Sequence, residues 1–246
     1  MNQQYTYISQ VYDKMIEIDY SKWRSFIENY FKDKGIDLKG KEALELGCGT
    51  GNMTLELKKI GLSLTALDIS QDMLNVAEEK LRLKNYKVNF INGDMTDISL
   101  GKKFNYIFSF CDGYNYLIED GEILKAFTSA YNHLSENGYF IFDISTKYKL
   151  LEEIGEKSFT LNEEELCYIW DNYIDEDIIE MYITFFLKEN DLYRKFEEVH
   201  YQKAYSVKYL VDILQSVGFK SVEIYNDYEN TKLHDNSQRA VFIAKK

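Results

Sequence analysis

The chain has 246 residues, 45% hydrophobic and 28% charged, enough for one good-sized core with a small accessory layer and unlike a disordered chain. Its net charge is −12, from 41 acidic against 29 basic residues; phosphate backbones are gripped by Lys and Arg, so this balance counts against a long nucleic-acid substrate. Cys48, Cys111 and Cys167 form no Cys-x-x-Cys pair, and His133, His200 and His234 are never three or four apart, which speaks against a disulfide framework and against a metal centre.

The opening Met1-Asn2-Gln3-Gln4-Tyr5 lacks the basic flank and apolar stretch of a secretion signal, and no apolar run reaches the roughly 18 residues that span a bilayer. A cytoplasmic protein without membrane attachment is the expectation. Val11, Met15, Ile18, Phe26, Ile27, Tyr30 and Phe31 recur at helical spacing, in a stretch that also carries Tyr5, Tyr7, Tyr12, Tyr20 and Trp23. Residues 1–34 therefore read as a helical cap, ended by Gly35 to Gly40. Short apolar runs then alternate with amphipathic segments. Strands are expected at 43–46, 62–67, 88–91, 106–110 and 139–144, the last entered by the turn Ser135-Glu136-Asn137-Gly138. Helices between them are marked by Met53, Leu57 and Ile60 before Gly61, by Ser70 ahead of Met73, Ala77 and Leu81, and by Leu124, Phe127, Tyr131 and Leu134. This alternation predicts βαβ units and a parallel sheet.

After a short helix at 148–154 the texture changes. Three long strands, 167–174, 178–188 and 192–201, are joined by the polar loops Asp175-Glu176-Asp177 and Glu189-Asn190-Asp191, of hairpin length. Ser206 caps a helix that ends at Gly218, and strands at 222–225 and 240–244 close the chain. The expected division is a cap at 1–34, an α/β core at 35–145 and 206–246, and an antiparallel β lid or substrate insertion at 146–205.

The residues that carry chemistry gather at strand ends. Leu44-Glu45-Leu46-Gly47-Cys48-Gly49-Thr50-Gly51-Asn52 lies between a strand and a helix, at the sheet edge where open α/β folds bind ligands. Its glycines let backbone approach a ligand closely, and the helix start behind them offers free N–H groups. The spacing Gly-x-Gly-x-Gly departs from the nicotinamide fingerprint, whose third glycine Met53 or Thr54 does not supply. Asp68 ends the next strand and can accept two hydrogen bonds from ribose hydroxyls; Asp94, in Asn92-Gly93-Asp94-Met95, ends the third.

With these motifs in order, the chain resembles the class I S-adenosylmethionine-dependent methyltransferases over roughly residues 40–145, and more loosely over its last forty. The resemblance implies a doubly wound, mostly parallel seven-stranded Rossmann-like sheet with one reversed strand. It implies S-adenosyl-L-methionine as cofactor, contacted by Glu45, Gly47, Cys48, Gly49 and Gly51 of the loop, by Asp68 at the ribose, and by Ile69 and Met73. It further implies contacts from Gly93, Asp94 and Met95 to adenine, and from Cys111 and Asp112 to the methionine part. Cys48 and Cys111 are read as packing residues whose backbone touches the ligand. The opening Tyr12-Asp13-Lys14-Met15 and Asp19-Tyr20-Ser21-Lys22-Trp23 is similar to a bacterial subgroup of small-molecule enzymes related to sugar N-methyltransferases. There an N-terminal helix with tyrosines closes over the cofactor, which carries Tyr12, Tyr20 and Trp23 into the site.

The implied reaction is in-line transfer of a methyl group to an O or N atom of a small molecule. Tyr114, Asn115 and Tyr116 could face that acceptor, or Asp112 and its successors could cap the next helix. His200 and Tyr12 are the candidates for a base, and no catalytic triad is present. A divalent metal between Asp112 and Asp143 has only two acids at strand ends to recommend it. RNA or protein methylation and a non-catalytic cofactor-binding subunit are the alternatives. The subgroup that grips a flipped base with Asn/Asp-Pro-Pro-Tyr/Phe is excluded, because the chain has no proline. The oligomeric state is open.

Overall fold

The computed structural model describes residue 9, residues 11–15 and residues 18–246. Tyr5, Tyr7 and the first part of the helical cap lie outside the described residues. The remainder of the cap is two pieces, α1 (Tyr12–Met15) and α2 (Tyr20–Asp33), where one helical run is expected. The interruption has a local cause: the Asp19 carboxylate accepts the Ser21 N–H at 3.1 Å and starts α2 afresh.

From Glu42 the order is β1 (Glu42–Leu46), α3 (Asn52–Ile60), β2 (Ser63–Asp68), α4 (Gln71–Leu83), β3 (Asn89–Asn92), β4 (Phe104–Ser109), α5 (Glu122–His133) and β5 (Leu134–Ser145). A 3-10 turn, Gly113–Tyr116, precedes α5, and a π-helical segment, Tyr148–Ile154, follows β5. The chain continues with β6 (Ser158–Asn162), β7 (Leu166–Asp175), β8 (Ile178–Glu189), β9 (Leu192–Lys203), α6 (Val207–Val217), β10 (Ser221–Asn226) and β11 (Arg239–Lys245). Ser70 and Ser206 cap α4 and α6 through the amides of Met73 and Tyr209. The expected turn at 135–138 is a bulge inside β5: Leu134 pairs Phe104, and Tyr139 is the next residue to pair, with Tyr106.

Seven strands form one sheet in the order β10-β11-β5-β4-β1-β2-β3. All neighbours run parallel except β11, which is antiparallel to β5 and β10, so the sheet is the mostly parallel, singly reversed one expected. Period-two alternation sends Phe140, Phe142 and Ile144 of β5 to one face, against α5 and α6, and Tyr139, Ile141 and Asp143 to the other, toward α2 and α3. Both faces are covered, which is why β4 and β5 read as continuous apolar runs.

The second sheet, β6-β7-β8-β9, is antiparallel throughout. Two-residue turns, Glu176-Asp177 and Asn190-Asp191, join its long strands, with Glu176 and Asn190 left-handed at φ 54° and 59°. On its inner face Trp170 lies opposite Ile183 and Tyr168 opposite Phe185. Leu166, Ile183, Phe185 and Phe196 pack with Val11 and Met73, binding this sheet to α4 and to the α1 segment. None of the described helices is long and apolar enough to cross a membrane.

Candidate active site

The order of the large sheet turns back between β4 and β1, so the connections after these strands leave toward opposite faces and a crevice opens at their carboxyl ends. A cavity of about 790 Å³ fills it, bounded by the tips of β1 to β5, by α1 and by the inner face of the second sheet. That volume lies within the usual range for a small-molecule site.

At the glycine-loop end, Gly47 and Gly49 form the wall. Gly47 has φ 67°, and a Cβ there would come 3.3 Å from the Met95 side chain. Gly51 serves packing instead, since a Cβ there would meet Ala77 at 2.9 Å; its absence lets α3 and α4 approach each other. Asp68, at the β2 tip, accepts the Gly49 N–H at 2.7 Å with one oxygen and the Ser70 N–H at 2.9 Å with the other. Burial raises its pKa, and these amides oppose the shift. Ile69 beside it is 56% exposed, an apolar side chain at the mouth of a cavity. Met73, Gly93, Asp94 and Met95 complete this end. Asp94 also orders its own loop, accepting from the amide and hydroxyl of Thr96 at 2.8 Å.

Tyr12 lines the cavity, on a segment tied down by Asp13. The Asp13 carboxylate accepts from Thr50 Oγ1 at 2.7 Å, Asn52 Nδ2 at 2.9 Å and Lys80 Nζ at 2.6 Å, joining α1 to the glycine loop and α4. Burial drives the Tyr12 phenol well above its ordinary pKa, which counts against it as a base.

The tip of β4 is held unusually. Cys111 and Asp112 are both left-handed, at φ 57° and 53°, a conformation costing about 1–3 kcal/mol per non-glycine residue. One carboxylate holds both: Asp143, reaching across from β5, accepts the Cys111 N–H at 3.1 Å and the Asp112 N–H at 2.7 Å. Asp143 also accepts from the Tyr228 hydroxyl and from Arg239, whose Nη1 donates to Asp112 at 3.0 Å as well. The second Asp112 oxygen accepts from Gln202 Nε2 at 2.8 Å. Burial works to raise the Asp112 pKa, but Arg239, Lys149 and Gln202 outweigh it and the net shift is downward. The space between Asp112 and Asp143, where two strand-end acids leave room for a bridging metal, is occupied by the Arg239 guanidinium.

Several residues expected at the site stand elsewhere. Tyr114 is wholly buried among Phe127, Phe140 and Phe142, and Asn115 is locked to the Ser145 backbone and the Lys203 carbonyl. The 3-10 turn rotates both into the core and leaves Tyr116 alone facing the cavity. Trp23 stacks on Tyr228 at 4.2 Å and lies under Arg239, behind the wall. Tyr20 backs Cys111, its hydroxyl 3.9 Å from the sulfur. The Cys48 side chain packs with Ala66 and Leu74, in keeping with its reading as a packing residue. Glu45, 1% exposed, is no part of the wall; burial pushes its pKa up to about 8, with the Asp68 charge adding.

His200 does line the cavity, with Nε2 3.0 Å from Glu198. Sequence reasoning does not find Arg239, Lys149, Gln202, Tyr168 and Trp170, all of which stand in the wall. The last three are within reach of strand alternation carried inward, since Gln202 follows His200 by two and Tyr168 and Trp170 share a face. Arg239, 127 positions from Asp112, and Lys149 carry no local signal.

A family model described as a methyltransferase domain matches residues 43–138. A Geobacillus sp. (strain WCH70) protein classed among the methyltransferases is 32% identical over 239 residues, 96% of each chain. The crystal structure of an S-adenosylmethionine-dependent methyltransferase from Clostridium acetobutylicum ATCC 824 superposes with a TM-score of 0.90 at 32% identity, covering 98% of both chains. A sugar N-methyltransferase from Streptoalloteichus sp. ATCC 53650 reaches 0.79 at 16% identity over 96% of this chain and 92% of its own, a likeness of fold alone.

Proposed function

The chain belongs to the methyltransferase family, and on that premise we propose that it transfers the methyl group of S-adenosylmethionine to an O or N atom of a small molecule. The observation that carries this reading is the pairing of Asp68 with the glycine loop in one cavity: a carboxylate oriented by two amides, beside backbone that no side chain shields. Such a carboxylate retains lone pairs for vicinal hydroxyls. Ile69 and Met95 offer apolar contact to a flat base, and Asp94 a polar edge. These residues fit an adenosine.

S-adenosylmethionine supplies a sulfonium methyl already activated for displacement. The chain's share is therefore position: aligning an acceptor atom with the methyl carbon supplies several kcal/mol of the barrier. The Cys111–Asp112 tip, fixed by Asp143, is a rigid part of the wall against which that alignment can be set. Tyr12 and Tyr116 present aromatic rings to the same space and suit a cationic sulfur. His200 is the remaining candidate base. A small acceptor is favoured because the second sheet acts as a lid of inward Tyr168, Trp170, Met181 and Ile183, and net charge −12 disfavours nucleic acid. Three free cysteines accord with a reducing, cytoplasmic setting.

Calorimetric titration with S-adenosylhomocysteine and with NAD tests the cofactor, and turnover of a metabolite panel tests the acceptor class. Binding of the first and not the second is expected. A preference for NAD contradicts the proposal.

A further inference from the structure

We infer that Lys149 is the anchor for a carboxylate carried by a ligand in the second-sheet end of the cavity. This deepens the methyltransferase reading and rests on it. Lys149 stands in the π-helical segment after β5 and lines the cavity. Its ammonium has three donors, one of which reaches Ser145 Oγ at 3.1 Å. Among the described residues no carboxylate lies within 4.0 Å of it.

Its charged neighbours are engaged with one another. Arg239 lies on both Asp112 and Asp143, Asp112 holds Gln202 with its other oxygen, and Asp143 is wholly buried behind the wall. His200 is turned to Glu198. Both carboxylates of this part of the wall are thus spent on Arg239, and among the described residues the Lys149 ammonium is left with a hydroxyl as its only side-chain partner. A cation so placed is costly: burial lowers its pKa, Arg239 adds to the shift, and the attraction of Asp112 and Asp143 only partly offsets them. An anion delivered by a ligand removes that cost. On the side of the cavity next to its own segment, Ile154, Trp170 and Met181 are apolar or aromatic. The group that fits is an acid on an apolar or aromatic body.

Two molecules can bring the carboxylate: the methyl acceptor, or the amino-acid end of the donor. Two arms separate them, each comparing the wild type with Lys149→Met and Lys149→Arg. In the first, S-adenosylhomocysteine and its decarboxylated counterpart are titrated calorimetrically. In the second, phenylacetate, phenylacetamide and phenethylamine are titrated into protein saturated with S-adenosylhomocysteine. An acceptor anchor shows as a preference of about tenfold for phenylacetate over the amide, lost in K149M and partly kept in K149R. A donor anchor shows as a loss of about tenfold in K149M for S-adenosylhomocysteine alone, its decarboxylated form being unaffected. Thermal melts confirm that each variant is folded. Equal binding of acid and amide by the wild type, with K149M indifferent in both arms, overturns the anchor while leaving the methyltransferase reading intact. Failure of the wild type to bind S-adenosylhomocysteine overturns the reading beneath it.

Discussion

The two ends of the cavity are built from different material. At the glycine-loop end the wall is strand tips: backbone of Gly47, Gly49 and Gly93, with Asp68 fastened to two amides. At the other end it is side chains of the second sheet, Tyr168, Trp170, Met181 and His200, gathered from three strands. Backbone geometry follows from the fold and tolerates little variation, whereas side chains on a regular strand can be exchanged one at a time without disturbing the ladder. The first end therefore suits an invariant ligand and the second a variable one.

The sharpest way to break the contrast is at the join. Arg239→Met strands the Asp112 and Asp143 carboxylates; breaking a buried pair in this way costs about 3–5 kcal/mol. The expected result is a drop in melting temperature of about 2–4 °C per kcal/mol lost, with ligand binding impaired at both ends. Next comes Asp68→Ala, which should weaken S-adenosylhomocysteine roughly 100-fold by calorimetry through the loss of two charge-assisted hydrogen bonds. An unchanged affinity would show that the β2 tip does not hold the ribose.

Glu45 gives a smaller effect with a definite sign. In the fold its carboxyl holds its proton up to about pH 8, against an ordinary value of 4.5. Between those values the folded state binds the extra proton, so this group's contribution to stability falls as pH rises. Glu45→Gln should flatten that decline, gaining about 5–9 °C in melting temperature at pH 8 relative to pH 6 compared with the wild type. Parallel pH profiles would refute it. Smallest of all, Trp170→Ala should change S-adenosylhomocysteine affinity by no more than about twofold, since the indole N–H is already spent on Asn172. A large loss would erase the distinction between the two ends.

The same contrast explains what can be read from sequence. Parallel strands joined by helices bring their tips to one edge, so Gly47, Asp68 and Asp94 can be placed together before any contact is seen. The second-sheet end depends on pairing across a meander and on residues far apart in the chain. Arg239 meets Asp112 only because β11 inserts beside β5 in reverse. Tyr114 and Asn115 mislead because a polar-looking run after a strand tip reads as facing outward, while a 3-10 turn drives two of its residues inward. β6 leaves little trace because Ser158-Phe159-Thr160-Leu161-Asn162 lies at a sheet edge and is mostly exposed, so it needs little apolar content. The break before α2, by contrast, is written in Asp19 and Ser21, a capping pair.

Asp143 has a practical corollary. Since the amides of Cys111 and Asp112 hang from a neighbouring strand, the tip of β4 is a fixed post anchored in the sheet. Retargeting this scaffold to a new methyl acceptor should therefore begin with the inward positions of β7, β8 and β9 and spare residues 111, 112, 143, 202 and 239. A library built that way alters the second-sheet wall of the cavity while the β4 tip stays where it was.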